Sequence, residues 1–279
     1  MFVTRNLHVK RYVVKPGSRV RLGRMDPSDT SGFDGDKKDG EKAIDANLRK
    51  LDPLQELLYA EHKHKVLIVL QGMDTSGKDG TIRRVFEGVN PEGVRVAHFG
   101  IPSEEEEDHD YLWRVHKQVP GKGELVLFNR SHYESVLIER VHGLVPETVW
   151  SKRYQQLVDF ERLLDEEGTT IVKFFLHIDK KEQERRFQDR LEDPTKHWKF
   201  SHLDYNERSY WRDYMRAYED ALERTSTEFA PWYVVPSNHA WFRDLVVSEV
   251  VVQALESLGM SYPKLDPEKA GLAAAKVSA

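Results

Sequence analysis

The hydrophobic positions along the chain follow two alternating patterns. Short apolar runs, such as residues 65–70, have the length and composition of buried β-strands. Between them lie segments in which apolar residues recur every three or four positions, as Ile82, Val85, Phe86 and Val89 do. We therefore predict strands at residues 65–71, 94–99, 124–129, 170–178 and 232–236. Helices are predicted at residues 43–61, 79–89, 104–118, 147–167, 180–192, 205–224 and 240–258.

The alternation of strands and helices predicts an α/β fold of three layers, with a parallel five-stranded sheet covered by helices on both faces. In such folds ligands bind at the carboxyl ends of the strands. Residues 43–262 are predicted to form this domain. Residues 1–42 are polar and predict an irregular N-terminal arm. Residues 263–279 are rich in Ala and Lys and predict a disordered tail.

Several helix ends carry capping signals. Three residue pairs have the spacing of a capping box: Ser103 with Glu106, Asp179 with Glu182, and Asp204 with Glu207. Gly168, Gly259 and Pro194 stand where helices are predicted to stop.

Residues 72–80 read GMDTSGKDG and fit the pattern G-x-x-x-x-G-K. The motif follows a predicted strand and opens a predicted helix, which is the context that a phosphate-binding loop requires. Glycines let backbone N–H groups converge on an anion, the helix N-terminus adds its dipole, and Lys78 adds a full charge. The candidate phosphate-binding residues here are Gly72, Thr75, Ser76, Gly77, Lys78, Asp79 and Gly80.

Two carboxylates, Asp74 and Asp79, belong to the same loop. Asp79 takes the position where Ser or Thr usually donates a hydroxyl to Mg²⁺. Carboxylates beside a polyanion repel it unless a cation lies between them, and Mg²⁺ accepts one or two carboxylates together with phosphate oxygens. The loop is therefore expected to carry its own metal ligand, with Asp74 as the candidate. Capping of the following helix by Asp79 is an equally good interpretation of that residue.

A second group of polar residues follows the predicted strand at 124–129. Asn129, Arg130, Ser131 and Glu134 are candidate nucleotide- or phosphate-binding residues, because side chains at this end of a strand face the ligand crevice. Arg130 can hold phosphate oxygens through its planar fork, or form a salt bridge. Glu134 can reach the nucleotide or the metal, or pair with Arg130. Asn129 carries no charge, which makes the acid in the glycine loop more important. We assign no chemistry to His132.

The predicted helix at 180–192 and the stretch after it are rich in basic residues. Arg186 and Arg190 lie on one helix face at i, i+4, and Lys199 follows beyond Pro194. Such a segment after the fourth strand is where phosphoryl-transfer enzymes place a closing lid, which brings arginines to the transferring phosphate. A solvated helix with locally paired charges is the alternative. The predicted lid covers residues 180–204.

Composition excludes several classes of protein. The 279 residues include no cysteine, which excludes disulfides and thiolate chemistry and fits a cytoplasmic location. No apolar run reaches membrane-spanning length, and the start of the chain has no signal-peptide pattern, so no membrane association is expected. The net charge of -5 argues against nucleic-acid binding.

Four segments together resemble the polyphosphate kinase 2 family: QGMDTSGKDGTIRRVFEGVNPEGV, FNRSHYESVL, KFFLHIDKKEQERRFQDRLEDPTKHWKF and APWYVVPSN. They lie in order over most of residues 50–260, and the combination is far more specific than the phosphate loop alone. Asn129 and His132 in the second segment resemble the subgroup, class III, that accepts both nucleoside mono- and diphosphates.

The resemblance implies a P-loop kinase-like fold with a helical lid. It implies Mg²⁺-dependent, reversible, in-line transfer of a phosphoryl group from inorganic polyphosphate to AMP or ADP, and assembly as a homo-dimer or homo-tetramer. It makes Asp74 the metal-binding or acceptor-assisting acid and Lys78 the phosphate lysine. Arg186, Arg190 and Lys199 fall in the lid. His239 stands where some relatives have Lys.

The expected mechanism rests on positioning and charge neutralisation, with no covalent phosphoryl-enzyme intermediate. Arg130 and the lid arginines would stabilise charge, and Arg83 and Lys122 would line a channel for the polyphosphate tail. The alternatives are an ATP-dependent nucleotide kinase and a nucleotide-regulated P-loop binding module that makes no new nucleotide.

Overall fold

The sheet follows the predicted strands closely. The computed structural model describes residues 7–265, so the predicted disordered tail lies almost wholly outside the described residues. The strands begin and end within one residue of the predicted bounds. Strands at residues 65–71 and 125–129 are apolar runs buried between two helical layers, whereas the edge strand at 94–98 is largely accessible. They are β1 (Lys65–Gln71), β2 (Val94–His98), β3 (Leu125–Asn129), β4 (Thr169–His177) and β5 (Trp232–Pro236).

The five strands are all parallel and lie in the order β2-β3-β1-β4-β5. The predicted fold class is therefore confirmed. In the register of β1 with β3, Leu70 pairs with Asn129, and the Arg130 amide donates to the Leu70 carbonyl at 3.1 Å. This register brings the carboxyl ends of β1 and β3 together, and with them the two polar motifs that follow these strands.

The long helices also match the prediction. The helices of the described range are α1 (Lys37–Glu61), α2 (Lys78–Val85), α3 (Glu104–Glu107), α4 (Trp113–His116), α5 (Ile138–Val141), α6 (Glu147–Glu166), α7 (Lys180–Glu192), α8 (His202–Asn206), α9 (Trp211–Thr225) and α10 (Ala240–Ser257). Helix α1 begins six residues earlier than predicted because the Asp36 side chain accepts from the Asp39 amide at 2.9 Å. Among residues 7–265, no helix is both long and apolar enough to cross a membrane.

Two predicted helices, at 104–118 and at 205–224, are interrupted. In the second, α8 and a 3-10 turn precede α9, which begins at Trp211. The segment predicted at 104–118 forms α3 and α4, separated by a turn in which Asp110 accepts from the Leu112 amide at 2.9 Å. A hydrogen bond from a side chain to a nearby backbone amide competes with the helical hydrogen bond of that amide, and so it ends the helix. The Ser103–Glu106 capping box is confirmed. The Asp204–Glu207 box is wrong, because α8 begins earlier and is capped by Ser201.

The core lies on both faces of the sheet. Successive residues of β1 alternate between the two layers: Leu67 and Val69 pack with α6 and α9, whereas Val66, Ile68 and Leu70 pack with α1 and α10. This three-layer packing fixes the sheet edge on which the polar loops lie.

The described part of the N-terminal arm, residues 7–36, contains two short 3-10 helices, and α1 begins at Lys37. The arm crosses the edge of the sheet, where the Val14 amide donates to the Trp232 carbonyl at 2.8 Å. Two glutamates of α9, Glu223 and Glu219, accept from the amides of Val20 and Leu22 at 2.7 and 2.8 Å. The arm is thereby fixed to the domain close to the ends of β4 and β5.

Candidate active site

The glycine loop connects β1 to α2 and encloses its own lysine. Gly72 and Gly77 adopt φ values of 153° and 106°, which side chains rarely tolerate. Lys78 opens α2, and its Nζ donates to the carbonyls of Gly72 and Met73 at 2.8 and 3.2 Å. Burial lowers the pKa of Lys78, and the nearby Asp74 carboxylate opposes that shift. An ammonium group has three donors, so one remains for an anion in the loop.

Asp79 lies in the first turn of α2 and links the two motifs. Its Oδ1 accepts from Asn129 Nδ2 at 2.6 Å. The helix begins at Lys78 with Gly77 as its N-cap, so capping of the helix, one of the two interpretations of Asp79, is not what the structure shows. Asn129, at the end of β3, is thereby oriented by a carboxylate of the phosphate loop.

Arg130 and Asp74 form the central ion pair of the site. Arg130 Nη2 lies 2.9 Å from Asp74 Oδ1, with both side chains partly exposed to the cleft. Arg130 adopts a left-handed conformation with φ of 62°, an uncommon state that is often found at functional sites. Burial works to lower the pKa of Arg130, but Glu134 and Asp74 outweigh it and raise that pKa. The guanidinium is therefore charged and keeps further donors for a phosphate.

Ser131 and Glu134 lie behind this ion pair. Ser131 is buried and its Oγ accepts from the Tyr133 amide at 3.2 Å, so the structure does not bring it to the cleft as a phosphate ligand. Gln71 Nε2 donates to Ser131 Oγ at 3.0 Å and to Glu134 Oε1 at 3.1 Å. Burial raises the pKa of Glu134, and Arg130 opposes the rise. The direct contact of Glu134 is with Gln71, and Glu134 acts on Arg130 only through its charge, so neither interpretation of Glu134 is shown by a contact.

His132 belongs to a buried network below the motif. Its Nε2 lies 3.0 Å from Glu161 Oε1, and Glu161 pairs with Lys173 at 2.5 Å. Tyr133 donates to the same carboxylate at 2.8 Å. His132, to which the sequence analysis assigned no chemistry, lies in the core.

The arginines of the segment predicted as a lid make contacts that differ from the expectation. Arg186 donates to Glu182 and to four backbone carbonyls, which occupies all of its N–H groups. Its predicted contact with a transferring phosphate is therefore corrected. Arg190 donates to the Lys199 carbonyl at 2.9 Å, and the side chains of both residues line the cleft.

One large cleft joins these parts, with a volume of about 1170 Å³. Among its lining residues Lys and Arg outnumber Asp and Glu, although the whole chain carries a net charge of -5. Beyond the phosphate loop the cleft continues along basic side chains from three helices and the loop before α10, which are Lys37, Arg84, His239 and Arg243. Each Lys or Arg in this part of the cleft has an acidic neighbour that also lines it: Lys37 pairs with Glu41, Arg84 with Asp45 and Arg243 with Asp244.

The two residues predicted to line a polyphosphate channel lie elsewhere. Lys122 precedes β3, at the amino ends of the strands, where the neighbouring Gly123 amide donates to the His64 carbonyl at 2.8 Å. This edge of a parallel sheet is opposite the glycine loop. Arg83 is exposed on α2, and its neighbour Arg84 lines the cleft instead. Both assignments are corrected.

Sequence reasoning missed two residues of the cleft. Asp204 of α8 faces the Asp74–Arg130 pair; burial raises the pKa of Asp204, and Asp74 raises it further. Arg243 of α10 lies against Gly77, and its Nε donates to Asp244 at 2.9 Å. Arg243 and Asp244 are charged residues on the buried, mostly apolar face of α10, and this is the signal that could have identified them.

Gly72→Ala is expected to destabilise the protein. A Cβ at this position would lie 2.6 Å from Ser76 Oγ and 2.8 Å from the Leu176 carbonyl oxygen, at a φ of 153°. Overpacking of this kind costs about 1–3 kcal/mol of folding free energy. Denaturant unfolding measures the loss. Gly23→Ala is the control, because its Cβ would meet nothing within 4 Å; equal stability of the two variants would contradict the close packing of the loop.

The fold and the cleft together define a class of protein. A glycine loop between strand and helix, an acid–arginine pair at the neighbouring strand and a basic helical segment opposite are the parts of a P-loop kinase-like phosphotransferase.

Comparisons with known proteins give the family. The model of the family Polyphosphate kinase 2 matches residues 34–262. The AMP/ADP-polyphosphate phosphotransferase of Meiothermus ruber is 58% identical over 262 residues, which cover 94% of this chain and 97% of that protein. The ADP-polyphosphate phosphotransferase of Rhodopseudomonas palustris is 43% identical over 275 residues, covering 94% and 95%.

The fold is also similar to that of a solved structure. The crystal structure of Polyphosphate Kinase 2 from Arthrobacter aurescens matches with a TM-score of 0.87 and 45% identity, over 92% of this chain and 93% of that one. The chain belongs to the polyphosphate kinase 2 family. The family resemblance and the enzyme class predicted from the sequence are thereby confirmed.

Proposed function

We propose that this protein transfers the terminal phosphoryl group of inorganic polyphosphate to AMP or ADP. The observation that carries the proposal is the meeting of the glycine loop, Lys78 and the Asp74–Arg130 pair in one basic cleft. An acceptor phosphate oxygen forms a bond to the terminal phosphorus. The bond from that phosphorus to the polymer breaks, and the shortened polymer leaves with the electron pair. The reaction is reversible because donor and product are both phosphoanhydrides.

The residues of the cleft bind and orient both substrates. Lys78 and the loop amides hold phosphate oxygens, Arg130 lies at the acceptor side, and Arg190 and Lys199 approach from the lid. Each neutralises charge that the reaction redistributes over phosphate oxygens. The polymer tail follows Arg243, His239, Arg84 and Lys37. We also propose that residues 43–262 form the catalytic domain, with 180–204 as its lid.

A divalent metal accompanies this type of phosphoryl transfer, and we infer that it is Mg²⁺. Within residues 7–265 no cluster of three or more acidic or histidine side chains forms a preformed metal site. The donor set nevertheless fits Mg²⁺, which is usually held by one or two carboxylates with phosphate oxygens and waters. Asp74 would hold it, with Asp79 beside it in the same cleft. When bound, the ion neutralises phosphate charge.

The direct test incubates purified protein with Mg²⁺, polyphosphate and AMP, and follows ADP and ATP by chromatography. We expect both products with polyphosphate, and no products after chelation with EDTA until Mg²⁺ is restored. A parallel reaction replaces polyphosphate with ATP. Product formation from ATP alone would establish an ATP-dependent nucleotide kinase. Nucleotide binding without any new product would establish a binding module, and either result would overturn the proposal.

We further propose a cytoplasmic homo-dimer or homo-tetramer. Several large apolar side chains are exposed on the α5–α6 side of the domain, among them Leu144, Val149 and Leu163. Multi-angle light scattering measures the mass directly, against a chain mass of 32.5 kDa. A single species at that mass over micromolar concentrations would contradict assembly.

A further inference from the structure

Arg186 gives all of its hydrogen bonds to the protein itself. Its Nε donates to Glu182 Oε1 at 2.7 Å. Its Nη1 donates to the carbonyls of Thr75 and Ser76 at 2.9 and 3.0 Å. Its Nη2 donates to the carbonyls of Ser237 and Asn238. A guanidinium has five N–H donors, so none is left for a phosphate.

The carbonyls that Arg186 holds belong to a strained part of the phosphate loop. Thr75 has a φ of 64°, a left-handed conformation that is rare for a β-branched residue. The hydroxyls of Thr75 and Ser76 are buried without a hydrogen-bond partner, so their side chains do not offset the strain. The contacts of Arg186 with both carbonyls are therefore positioned to hold this conformation.

Helix α7 fixes three consecutive carbonyls of the loop. Gln183 Nε2 donates to the Asp74 carbonyl at 3.1 Å, next to the two that Arg186 holds. In a planar trans peptide, the N–H of the next residue points away from the carbonyl. Fixing the Asp74 and Ser76 carbonyls on the α7 side therefore directs the Thr75 and Gly77 amides to the other side, away from α7.

The contacts of Arg186 and Gln183 with the three loop carbonyls form a clamp on the loop. The other carbonyls that Arg186 binds, at residues 237 and 238, belong to a segment that is itself held in place. Asn238, whose carbonyl accepts from Arg186, donates through its own amide to the Pro27 carbonyl at 3.0 Å. Its Nδ2 donates to Ser28 Oγ and to Asp179 Oδ2, both at 2.8 Å. Asp179 is the N-cap of α7. The N-terminal arm, the start of α7 and the phosphate loop are thus joined through Arg186 and Asn238.

We propose that Arg186 is a positioning residue, which holds Thr75 in its left-handed conformation and aims the loop amides, and which contacts no phosphate. This inference rests on the proposed function of the loop as the phosphate site. The inference separates the predicted lid into two parts. The first two turns of α7 belong to the phosphate site, and the part that moves as a lid begins after Arg186.

The test combines Arg186→Gln with Thr75→Gly. Glycine enters left-handed conformations without strain, so it removes the need for the clamp. We expect Arg186→Gln to lower kcat about 100-fold, the scale of a small misplacement of catalytic groups. In the Thr75→Gly background the same change is expected to lower kcat less than about 10-fold, as the strain is gone. Thr75→Ala is the matched control: it removes the hydroxyl but keeps the strain, and the full loss should persist.

Two further measurements separate positioning from phosphate binding. Arg186→Lys keeps the charge but has three donors instead of five; we expect it to lose as much kcat as Arg186→Gln, and it replaces that variant if Arg186→Gln does not fold. Hydrogen exchange of residues 72–78, measured without nucleotide or polyphosphate, is expected to be faster in both variants than in the wild type.

The opposite results would overturn the inference. They are equal losses in the threonine and glycine backgrounds, unchanged exchange in the substrate-free protein, or a loss confined to the KM for polyphosphate that Arg186→Lys restores. The exchange measurement needs no activity. If the wild type makes no nucleotide from polyphosphate, the proposed function fails while the clamp is still tested.

Discussion

Lys78→Ala is expected to reduce kcat/KM for phosphoryl transfer at least about 100-fold, equal to a loss of about 2.7 kcal/mol of transition-state stabilisation. Lys78 is buried at the centre of the glycine loop, and its ammonium lies between two loop carbonyls with one donor free. Charge held in such a preorganised, partly dry site interacts strongly with phosphate oxygens. Steady-state kinetics with varied polyphosphate and fixed AMP measure the effect.

The control for this variant is Lys122→Ala. Lys122 is an exposed lysine at the opposite edge of the sheet, so the same change in charge there should leave kcat/KM within about twofold, as expected for a distant, screened surface charge. If Lys78→Ala keeps near-normal turnover while its unfolding transition is unchanged, the loop is not the phosphate site. If Lys122→Ala weakens polyphosphate binding, the channel lies where the sequence first suggested.

Asp74→Asn extends this prediction to the metal. Asparagine keeps the shape of the side chain and an oxygen for Arg130 Nη2, which now lies 2.9 Å from Asp74 Oδ1, but it removes the negative charge. We expect a loss similar to that of Lys78→Ala, about 2.7 kcal/mol, and a higher Mg²⁺ concentration for half-maximal rate. An unchanged Mg²⁺ dependence would place the metal on another ligand.

The fold was readable from the sequence because its strands are unambiguous. Residues 66–71 of β1 are buried on both faces, so the strand appears as a continuous apolar run with polar residues at its ends. Because ligands bind at the carboxyl ends of parallel strands, the sequence predicted that the glycine loop lies beside Asn129 and Arg130. The register of β1 with β3 brings them together as expected.

The site was less readable wherever its geometry depends on contacts distant in the sequence. The i, i+4 spacing put Arg186 and Arg190 on one face of α7, but it did not reveal that Arg186 is enclosed by four carbonyls from two other segments. Lys122 is basic and lies near β3 in sequence, yet it precedes the strand and therefore lies at the wrong edge. Asp204 lines the cleft although it lies on α8, far along the chain from the glycine loop.

The sequence analysis also missed the buried ion pair of Lys173 and Glu161 beneath the second motif. Lys173 interrupts the apolar run of β4, and a charged residue at such a position indicates a buried partner. Lys173 and Glu161 are 0% exposed and 2.5 Å apart. Lys173 Nζ also donates to Tyr133 Oη at 2.9 Å and to the Thr225 carbonyl at 2.8 Å. Burial works to raise the pKa of Glu161, but Lys173 and His132 lower it below its ordinary value, so the carboxylate is charged.

Lys173→Met is therefore expected to destabilise the fold by about 3–5 kcal/mol, because it leaves the Glu161 carboxylate buried without a counter-charge. Adding Glu161→Gln removes that charge but keeps an oxygen to accept from His132 and Tyr133. We expect the double variant to be more stable than Lys173→Met alone, since the cost lies in the unpaired charge rather than in the loss of attraction. Denaturant unfolding at pH 7 measures the wild type, the two single variants and the double variant.

The acid side of the stability profile gives an independent check. A carboxyl group whose folded pKa is lowered stabilises the fold above its unfolded pKa, close to the ordinary value of 4.5, and this contribution is lost as the pH falls through the folded pKa. Stability of the wild type should fall in that range more steeply than that of the double variant. If Lys173→Met costs less than about 1 kcal/mol, or if the double variant loses the sum of both single changes, the pair is not held together by charge.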